Sequence, residues 1–220
     1  MNAPLALVVA DDLGYDPAID EGILEAHRDG VVTATSALVT GPFAEAALRS
    51  APRSLAVGLH LDIPSGLDAR EAEEEIRRQL RRFEAIRGAM PVHVDGHRHV
   101  HAEPRVLEAL LRVAAPLLLR VRALDLVMRD RIRAAGARAC DAFLGDADLR
   151  PCWTPERLAA AAGALGAGST EIMLHPGHLP THVRTGFAAE REIELAAAVD
   201  PRVREAFRSA GVSLAGQLPG

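Results

Sequence analysis

Residues 5–14 read Leu-Ala-Leu-Val-Val-Ala-Asp-Asp-Leu-Gly, and this stretch decides the fold. Six consecutive apolar residues without polar alternation are typical of a strand that is buried on both faces. Two aspartates follow at once, and residues 17–28 then carry apolar side chains at helical spacing until Asp29-Gly30 ends the pattern. A buried strand, a polar turn and a helix in this order form the first part of a parallel β/α repeat.

The same alternation continues to the end of the chain. Further strands are predicted at residues 33–40, 55–61, 91–95, 117–121, 140–143, 171–174 and 212–215. Helices are predicted at residues 42–50, 68–87, 103–114, 122–136, 154–165, 190–199 and 202–210. Short connections between these elements predict an α/β fold in one domain, residues 1–220, with parallel strands and outer helices. About seven or eight repeats favour a closed or distorted barrel over an open sheet.

The composition excludes several classes of protein. A net charge of -5 without a basic stripe argues against a nucleic-acid partner. The two cysteines, Cys140 and Cys152, are too few for a disulfide scaffold and are expected to be reduced and buried. The apolar run at residues 5–10 lacks the basic flank of a signal peptide, and no run is long enough to cross a bilayer. We therefore expect a soluble, cytoplasmic protein.

Polar side chains follow four of the predicted strands. The four segments are Asp11-Asp12-Leu13-Gly14, Gly58-Leu59-His60-Leu61-Asp62, the run from His93 to His101 (His-Val-Asp-Gly-His-Arg-His-Val-His), and Met173-Leu174-His175-Pro176-Gly177-His178. Catalytic groups of parallel β/α folds lie at the carboxyl ends of the strands, which meet at one mouth. These segments are therefore expected to converge.

The residue types suit metal-assisted hydrolysis. A carboxylate and two imidazoles at successive strand ends can hold one divalent metal and leave positions open for water and substrate. The pair Asp11-Asp12 can divide the work, because one carboxylate can hold the metal while the other accepts a proton from water. His97, His99 and His101 would share one face if the strand stayed extended. The spare histidines and Asp95 would then orient the ligands.

Structural alternatives stay open at each of these positions. The two aspartates can form a polar turn in which one of them caps a helix. His60 can be a hydrogen-bonded core residue, and the histidine run can be a polar loop. His175 can cap its strand and bond to the backbone.

The order of these four segments resembles the YdjC-like, or ChbG/HpnK, carbohydrate deacetylases, which include chitooligosaccharide deacetylase. The resemblance extends to residues 22–27 (Gly-Ile-Leu-Glu-Ala-His), 30–36 (Gly-Val-Val-Thr-Ala-Thr-Ser) and 189–195 (Ala-Glu-Arg-Glu-Ile-Glu-Leu), so it covers nearly the whole chain. It implies a distorted TIM-like β/α barrel related to polysaccharide deacetylases. The chain departs from the family at Leu13, where phenylalanine is usual, and in a short segment after Gly66, where many members carry a substrate-covering insertion.

The resemblance also implies roles for individual residues. Asp12, His60 and His97 would hold one divalent metal ion, magnesium or zinc. Asp11 would be the general base, and His175, as an imidazolium, the general acid. The partner would be an N-acetylated sugar that is deacetylated to acetate and an amino sugar, and a homodimer is an open alternative for the assembly.

Three rival functions differ in substrate or class. One keeps the reaction but acts on a glycolipid, such as a hopanoid-linked amino sugar. Another is a metal-dependent phosphoesterase, which usually needs two or three metals. The last is a non-catalytic protein that binds a sugar or a metal, which an intact Asp11 disfavours.

Overall fold

Eight parallel strands form one curled sheet in the computed structural model, which describes residues 3–145 and 153–219. The strands are β1 (Leu5–Leu13), β2 (Ala34–Ala37), β3 (Ala56–Leu61), β4 (His93–Gly96), β5 (Arg120–Val121), β6 (Ala142–Leu144), β7 (Ser169–Leu174) and β8 (Ser213–Leu214). Their order in the sheet is β5-β4-β3-β2-β1-β7-β6, and β8 pairs with the start of β1. β1 is therefore central, as its continuous apolar run predicts.

The two edges of the sheet approach each other around residue 138. The Val121 amide donates to the Arg138 carbonyl at 2.8 Å, and the Arg138 amide donates to the Leu119 carbonyl at 3.1 Å. The chain then enters β6, which pairs with β7. The segment from residue 138 to 144 thus links β5 to β7, and the expected distorted α/β barrel is confirmed.

Eight helices surround the strands in the part of the chain that the structure describes. They are α1 (Pro17–Arg28), α2 (Ala44–Ser50), α3 (Ala69–Arg87), α4 (Pro104–Ala114), α5 (Leu126–Ala134), α6 (Pro155–Gly163), α7 (Ala189–Val199) and α8 (Pro201–Ser209). Most lie within a few residues of the ranges predicted from the sequence, and α1 has the predicted bounds. None of the helices in the described ranges is both long and apolar enough to span a membrane.

Local sequence signals explain where these helices begin and end. Thr154 caps α6 as predicted, since its side chain accepts a hydrogen bond from the Arg157 amide. α3 begins with a capping box formed by Asp68 and Glu71, and it ends at Gly88, whose φ of 74° is left-handed. The apolar stripe of α3 packs on the sheet, while its ion-paired face is exposed, as the charged sequence indicated.

The histidine run is not extended beyond β4, which corrects one expectation. β4 ends at Gly96, and residues His97–Ala102 form a 3₁₀ segment. Arg98 and His99 have left-handed backbone conformations, with φ of 51° and 56°. The alternation of an extended strand is therefore lost, and the histidines of this segment do not share one face.

The expectation that the cysteines are reduced and buried is confirmed for Cys140. Cys140 is a free, buried thiol. Burial raises its pKa to about 11, so the thiol is protonated near neutral pH. Cys152 lies outside the described residues.

Candidate active site

A bulge in β1 turns two adjacent aspartates toward the mouth of the barrel. Ala10 pairs with Thr35 and Leu13 with Ala37, so two residues of β1 stand opposite the single residue Ser36 of β2. Asp12 has a φ of 79°, which few non-glycine residues adopt and which aspartate tolerates better than most. In a regular strand, Asp11 and Asp12 would point to opposite faces; the bulge allows both carboxylates to serve one site.

Asp12 contacts two histidines, each from the end of another strand. Its Oδ1 lies 3.4 Å from Nε2 of His60 at the end of β3 and 3.2 Å from Nδ1 of His97, which follows β4. These three side chains offer one oxygen and two nitrogen atoms that all lie within 4.8 Å of one another. The structure thus brings together the three residues for which the resemblance implied a metal.

The other carboxylate oxygen of Asp12 is bound by Arg191, at the start of α7. Nη2 of Arg191 donates to Oδ2 of Asp12 at 2.5 Å, and its Nε donates to the Phe187 carbonyl at 3.0 Å. The guanidinium is buried. Burial acts to raise the pKa of Asp12, but Arg191 and the hydrogen bonds from His60 and His97 hold it well below its ordinary value. Arg191 therefore keeps Asp12 ionised and leaves Oδ1 turned toward the two imidazoles.

His60 is oriented from behind by Asp95 of β4. Nδ1 of His60 donates to Oδ1 of Asp95 at 2.7 Å, which directs Nε2 toward Asp12. A carboxylate on the far nitrogen is the usual arrangement behind a metal-binding histidine. Burial acts to lower the pKa of His60, but Asp95 and Asp11 outweigh it and raise the pKa to about 10.

The Arg122 guanidinium lies between three carboxylates, those of Asp11, Asp95 and Glu171. Its Nη1 and Nη2 each donate to one oxygen of Asp11 at 2.7 Å, and Nη2 lies 2.7 Å from Oδ2 of Asp95. Its Nε donates to Glu171 of β7 at 2.6 Å. Asp11, His60 and Asp95 also lie close enough together to hold an ion, but here the Arg122 guanidinium already bridges the two carboxylates. The group of Asp12, His60 and His97 is thus the better cation site.

The buried charges at the mouth do not balance through arginine alone. Four buried carboxylates and three buried guanidinium groups form a connected cluster in the part of the chain that the structure describes; these are Asp11, Asp12, Asp95 and Glu171 with Arg120, Arg122 and Arg191. One negative charge is left over. Because an uncompensated buried charge is strongly unfavourable, either a protonated His60 or a bound cation must supply the missing positive charge.

Asp11 faces the same space as His175. Its Oδ1 accepts a hydrogen bond from Ser36 Oγ at 3.0 Å, and its Oδ2 lies 4.0 Å from Nε2 of His175. Burial acts to raise the pKa of Asp11, but the bidentate Arg122 outweighs burial and lowers the pKa below its ordinary value. Asp11 is therefore ionised at neutral pH.

His175 follows β7 and is held by its backbone rather than by its ring. Its amide donates to Oε2 of Glu194 at 2.6 Å, and its ring lies beside Phe187 with centroids 5.3 Å apart. Burial lowers the pKa of His175 to about 4, so the ring is neutral at pH 7. As a general acid, His175 would have to be an imidazolium when the leaving group departs, so its proton would have to arrive during the reaction. His178, which ends the same sequence segment, pairs with Glu25 at 3.2 Å.

The other histidines of the cluster take separate places. His93 and His101 are fully buried, and burial lowers their pKa values to about 4 and about 3. The His99 ring lies beside His101, with centroids 5.9 Å apart, and beside Phe143, with centroids 6.1 Å apart. Of the four alternating histidines, His97 is the one that reaches Asp12.

Asp16 ties the loop after β7 to the start of α1. Its Oδ1 accepts a hydrogen bond from the Ala18 amide at 2.9 Å, which caps α1. Its Oδ2 accepts from the amides of Thr181, His182 and Val183 at 3.1, 2.7 and 3.2 Å. One buried carboxylate therefore fixes the loop that begins at His175.

Sequence reasoning missed the arginines of the site. Arg120 begins β5 and Arg122 directly follows it, so both side chains can point into the barrel, and this spacing of two residues was a usable signal. Arg191 lay within the family-like stretch at residues 189–195 but had no assigned role. An arginine on the buried face of a strand needs an acidic partner, and the strand-end carboxylates are the partners available.

A family model described as YdjC-like protein matches residues 6–209. Among curated proteins, the chain is 30% identical to a carbohydrate deacetylase from Geobacillus stearothermophilus, in an alignment that covers 94% of each chain. It is 29% identical to a chitooligosaccharide deacetylase from Serratia marcescens over 96% of each chain.

Solved structures show the same fold. A crystal structure from Enterococcus faecalis V583, whose name refers to cleavage of cellobiose phosphate, matches with a TM-score of 0.87 and 26% identity over 97% of both chains. A family 4 acetyl xylan esterase from Clostridium thermocellum, in complex with a cobalt ion, matches with a TM-score of 0.59 and 16% identity, over 96% of this chain and 86% of the esterase. The second similarity concerns the fold alone.

Proposed function

The chain belongs to the YdjC-like family, and from that premise we propose that it is a metal-dependent hydrolase that removes the acetyl group from an N-acetylated sugar. One observation carries the proposal: Asp12, His60 and His97 converge at the barrel mouth, with Asp11 directly beside them. The relatives named carbohydrate deacetylase and chitooligosaccharide deacetylase support a sugar acetamide as the substrate class.

The residues present fit a divalent metal. Asp12, His60 and His97 would hold it, Asp95 already orients His60, and a bound cation would balance the charge that a proton on His60 otherwise balances. When bound, such a metal polarises the acetyl carbonyl and makes its water a better nucleophile. Two nitrogen ligands and one oxygen ligand favour zinc on ligand softness, and magnesium is the alternative.

Asp11 and His175 would handle the protons. Asp11 is ionised and buried beside the metal-binding group, so it can accept a proton from the attacking water. His175 lies 4.0 Å from Asp11 and can deliver a proton to the leaving amine. Its ring is neutral in the free protein. We therefore propose that His175 acts as a relay, which receives the proton during turnover and passes it on.

A phosphoesterase with several metals receives less support. The second grouping of potential ligands, Asp11 with His60 and Asp95, is bridged by Arg122. A cation there would have to displace a buried guanidinium that makes short contacts with both carboxylates. We therefore favour a site for a single metal.

Acetate release tests the proposal directly. The protein is treated with a chelator, supplied with zinc or magnesium, and incubated with a panel of N-acetylated mono- and oligosaccharides. We expect acetate release that depends on the added metal. Asp11→Asn should bind the metal normally but lose about 10²–10⁴-fold in kcat, because the amide cannot accept the proton. Asp130→Asn, on the exposed face of α5, is the matched control.

Two results would contradict parts of the proposal. Full activity after chelation would exclude the metal-dependent mechanism. Wild-type kcat in Asp11→Asn would show that Asp11 is not the base. Asp12→Ala should abolish metal binding, and retention of one metal equivalent in that variant would refute the assignment of Asp12.

A further inference from the structure

A cavity of about 330 Å³ opens beside His97 on the mouth of the barrel. It lies between the ends of β2 and β3 and the 3₁₀ segment after β4, and its polar lining comes from Tyr15, Thr40, Asp62 and Arg98. His97 belongs both to this cavity and to the group around Asp12. A molecule in the cavity would therefore lie next to the proposed metal.

Asp62 stands in this cavity as a firmly positioned carboxylate. The side chain of Gln79, which is fully buried in α3, accepts a hydrogen bond from the Asp62 amide at 3.1 Å and donates to the Asp62 carbonyl at 2.7 Å. Thr40 Oγ1 donates to Oδ2 of Asp62 at 3.1 Å. The amide and the carbonyl of Asp62 are thus both fixed by Gln79, while the Asp62 carboxylate is exposed to the cavity.

Tyr15 supplies an aromatic wall on the side of the catalytic aspartates. Its amide donates to the Asp12 carbonyl at 3.1 Å, which fixes it relative to the metal-binding group. Its half-buried ring lies 6.0 Å from the His97 ring, at an angle of 55°. An aromatic ring and a carboxylate in one cavity combine an apolar surface with a strong hydrogen-bond acceptor.

One side of the cavity is bordered by the connection from β3 to α3. This connection, residues 62–68, is short, and Asp62 is its single residue that lines the cavity. The volume is at the lower end of the range of about 300–1,000 Å³ for ligand pockets, which suits one pyranose ring. Further rings of a longer substrate would extend into solvent.

We propose that this cavity binds the pyranose ring that carries the acetamide, and that Asp62 accepts hydrogen bonds from the hydroxyl groups of that ring. The inference rests on the proposed function, because it takes its ligand class from it. It adds a substrate-binding residue and a location for the ring. It also implies that monosaccharides and oligosaccharides depend on Asp62 to the same extent.

Direct binding separates this inference from catalysis. The dissociation constants of N-acetylglucosamine and its β-1,4-linked disaccharide are measured by calorimetry on the chelator-treated protein, where hydrolysis does not interfere. Asp62→Ala should weaken the binding of both sugars by about 10- to 100-fold, because each loses a hydrogen bond to a charged group. Asp130→Ala, which removes an exposed carboxylate on α5, is the matched control and should leave both constants unchanged.

Each outcome has a definite meaning. Equal weakening for the two sugars supports the inference, and Thr40→Val should then give a smaller loss, because the Asp62 carboxylate itself remains in the cavity. Unchanged constants in Asp62→Ala, a loss confined to the disaccharide, or no binding to the wild-type protein would overturn it. Acetate release is measured separately with metal added; binding that requires Asp62 without any release would refute the proposed function and leave this subsite standing.

Discussion

Replacing Arg191 with methionine removes the guanidinium that contacts Asp12, while it keeps most of the apolar length of the side chain. The wild-type Arg191 is 2% exposed and donates to Asp12 at 2.5 Å and to the Phe187 carbonyl at 3.0 Å. In Arg191→Met, the Asp12 carboxylate stays buried but loses its strongest cationic partner. The charge cluster at the mouth then carries two uncompensated negative charges instead of one before any contribution from His60.

The expected loss of stability follows from this geometry. Breaking a buried ion pair by removing one partner costs about 3–5 kcal/mol. We expect the lower end, about 3 kcal/mol, because Asp12 keeps contacts with His60 and His97. For a domain of this length, that corresponds to a decrease in Tm of roughly 6–12 °C.

Thermal and denaturant unfolding of chelator-treated protein would measure the effect, with Arg202→Met as the control. Arg202 is also an ion-paired arginine, but its side chain is 65% exposed on α8, so its removal should change little. Added divalent metal should reduce the penalty in Arg191→Met, because the ion would neutralise Asp12. If metal-free Arg191→Met were as stable as the metal-free wild type, the conclusion that Arg191 compensates the charge of Asp12 would be refuted. A penalty that metal does not reduce would show that Arg191 acts through packing rather than charge.

Two further predictions concern the loop after β7 and the buried histidines. Gly22→Ala places a Cβ 2.5 Å from the Gly177 Cα, so the loop after β7 should be displaced. The free energy of unfolding should fall by about 1–3 kcal/mol, and kcat should also fall. Gly163→Ala, whose added Cβ would meet no atom within 4 Å, is the control in the unfolding and kinetic assays. His93 and His101 are neutral in the fold, with pKa values of about 4 and about 3, so the stability they contribute is complete above about pH 6.5 and is lost as the pH falls below it. Denaturant unfolding at pH 7.5 and 5 should show a loss of about 2 kcal/mol per histidine, and an unchanged pH dependence in His101→Leu would contradict this.

The convergence of the candidate site residues could be predicted because it depends on local signals. Asp11 and His60 lie near the carboxyl ends of β1 and β3, His175 directly follows β7, and parallel strands deliver their carboxyl ends to one mouth. Once the β/α rhythm was recognised, convergence required no knowledge of side-chain packing.

The partners of these residues could not be predicted in the same way. Arg122 contacts Asp11 across 111 residues of sequence, and Arg191 contacts Asp12 across 179. Such pairs depend on the curvature of the sheet and on the placement of α7, neither of which is encoded in a local pattern. The prediction of one shared face for His97, His99 and His101 was wrong for a related reason. Arg98 and His99 have left-handed backbone conformations, which break the alternation of an extended strand.

The adjacent carboxylates Asp11 and Asp12 show how the fold resolves a conflict that the sequence poses. Side by side on a buried strand they should repel each other, and each would raise the pKa of the other. The bulge in β1 gives them different neighbours: Asp11 is held by Arg122, which directly follows β5, and Asp12 by Arg191 from α7. Both pKa values are held below the ordinary value, so both groups are ionised. Because the two partners differ, one carboxylate can turn an oxygen toward His60 and His97 while the other faces His175, as the proposed roles of metal ligand and general base require.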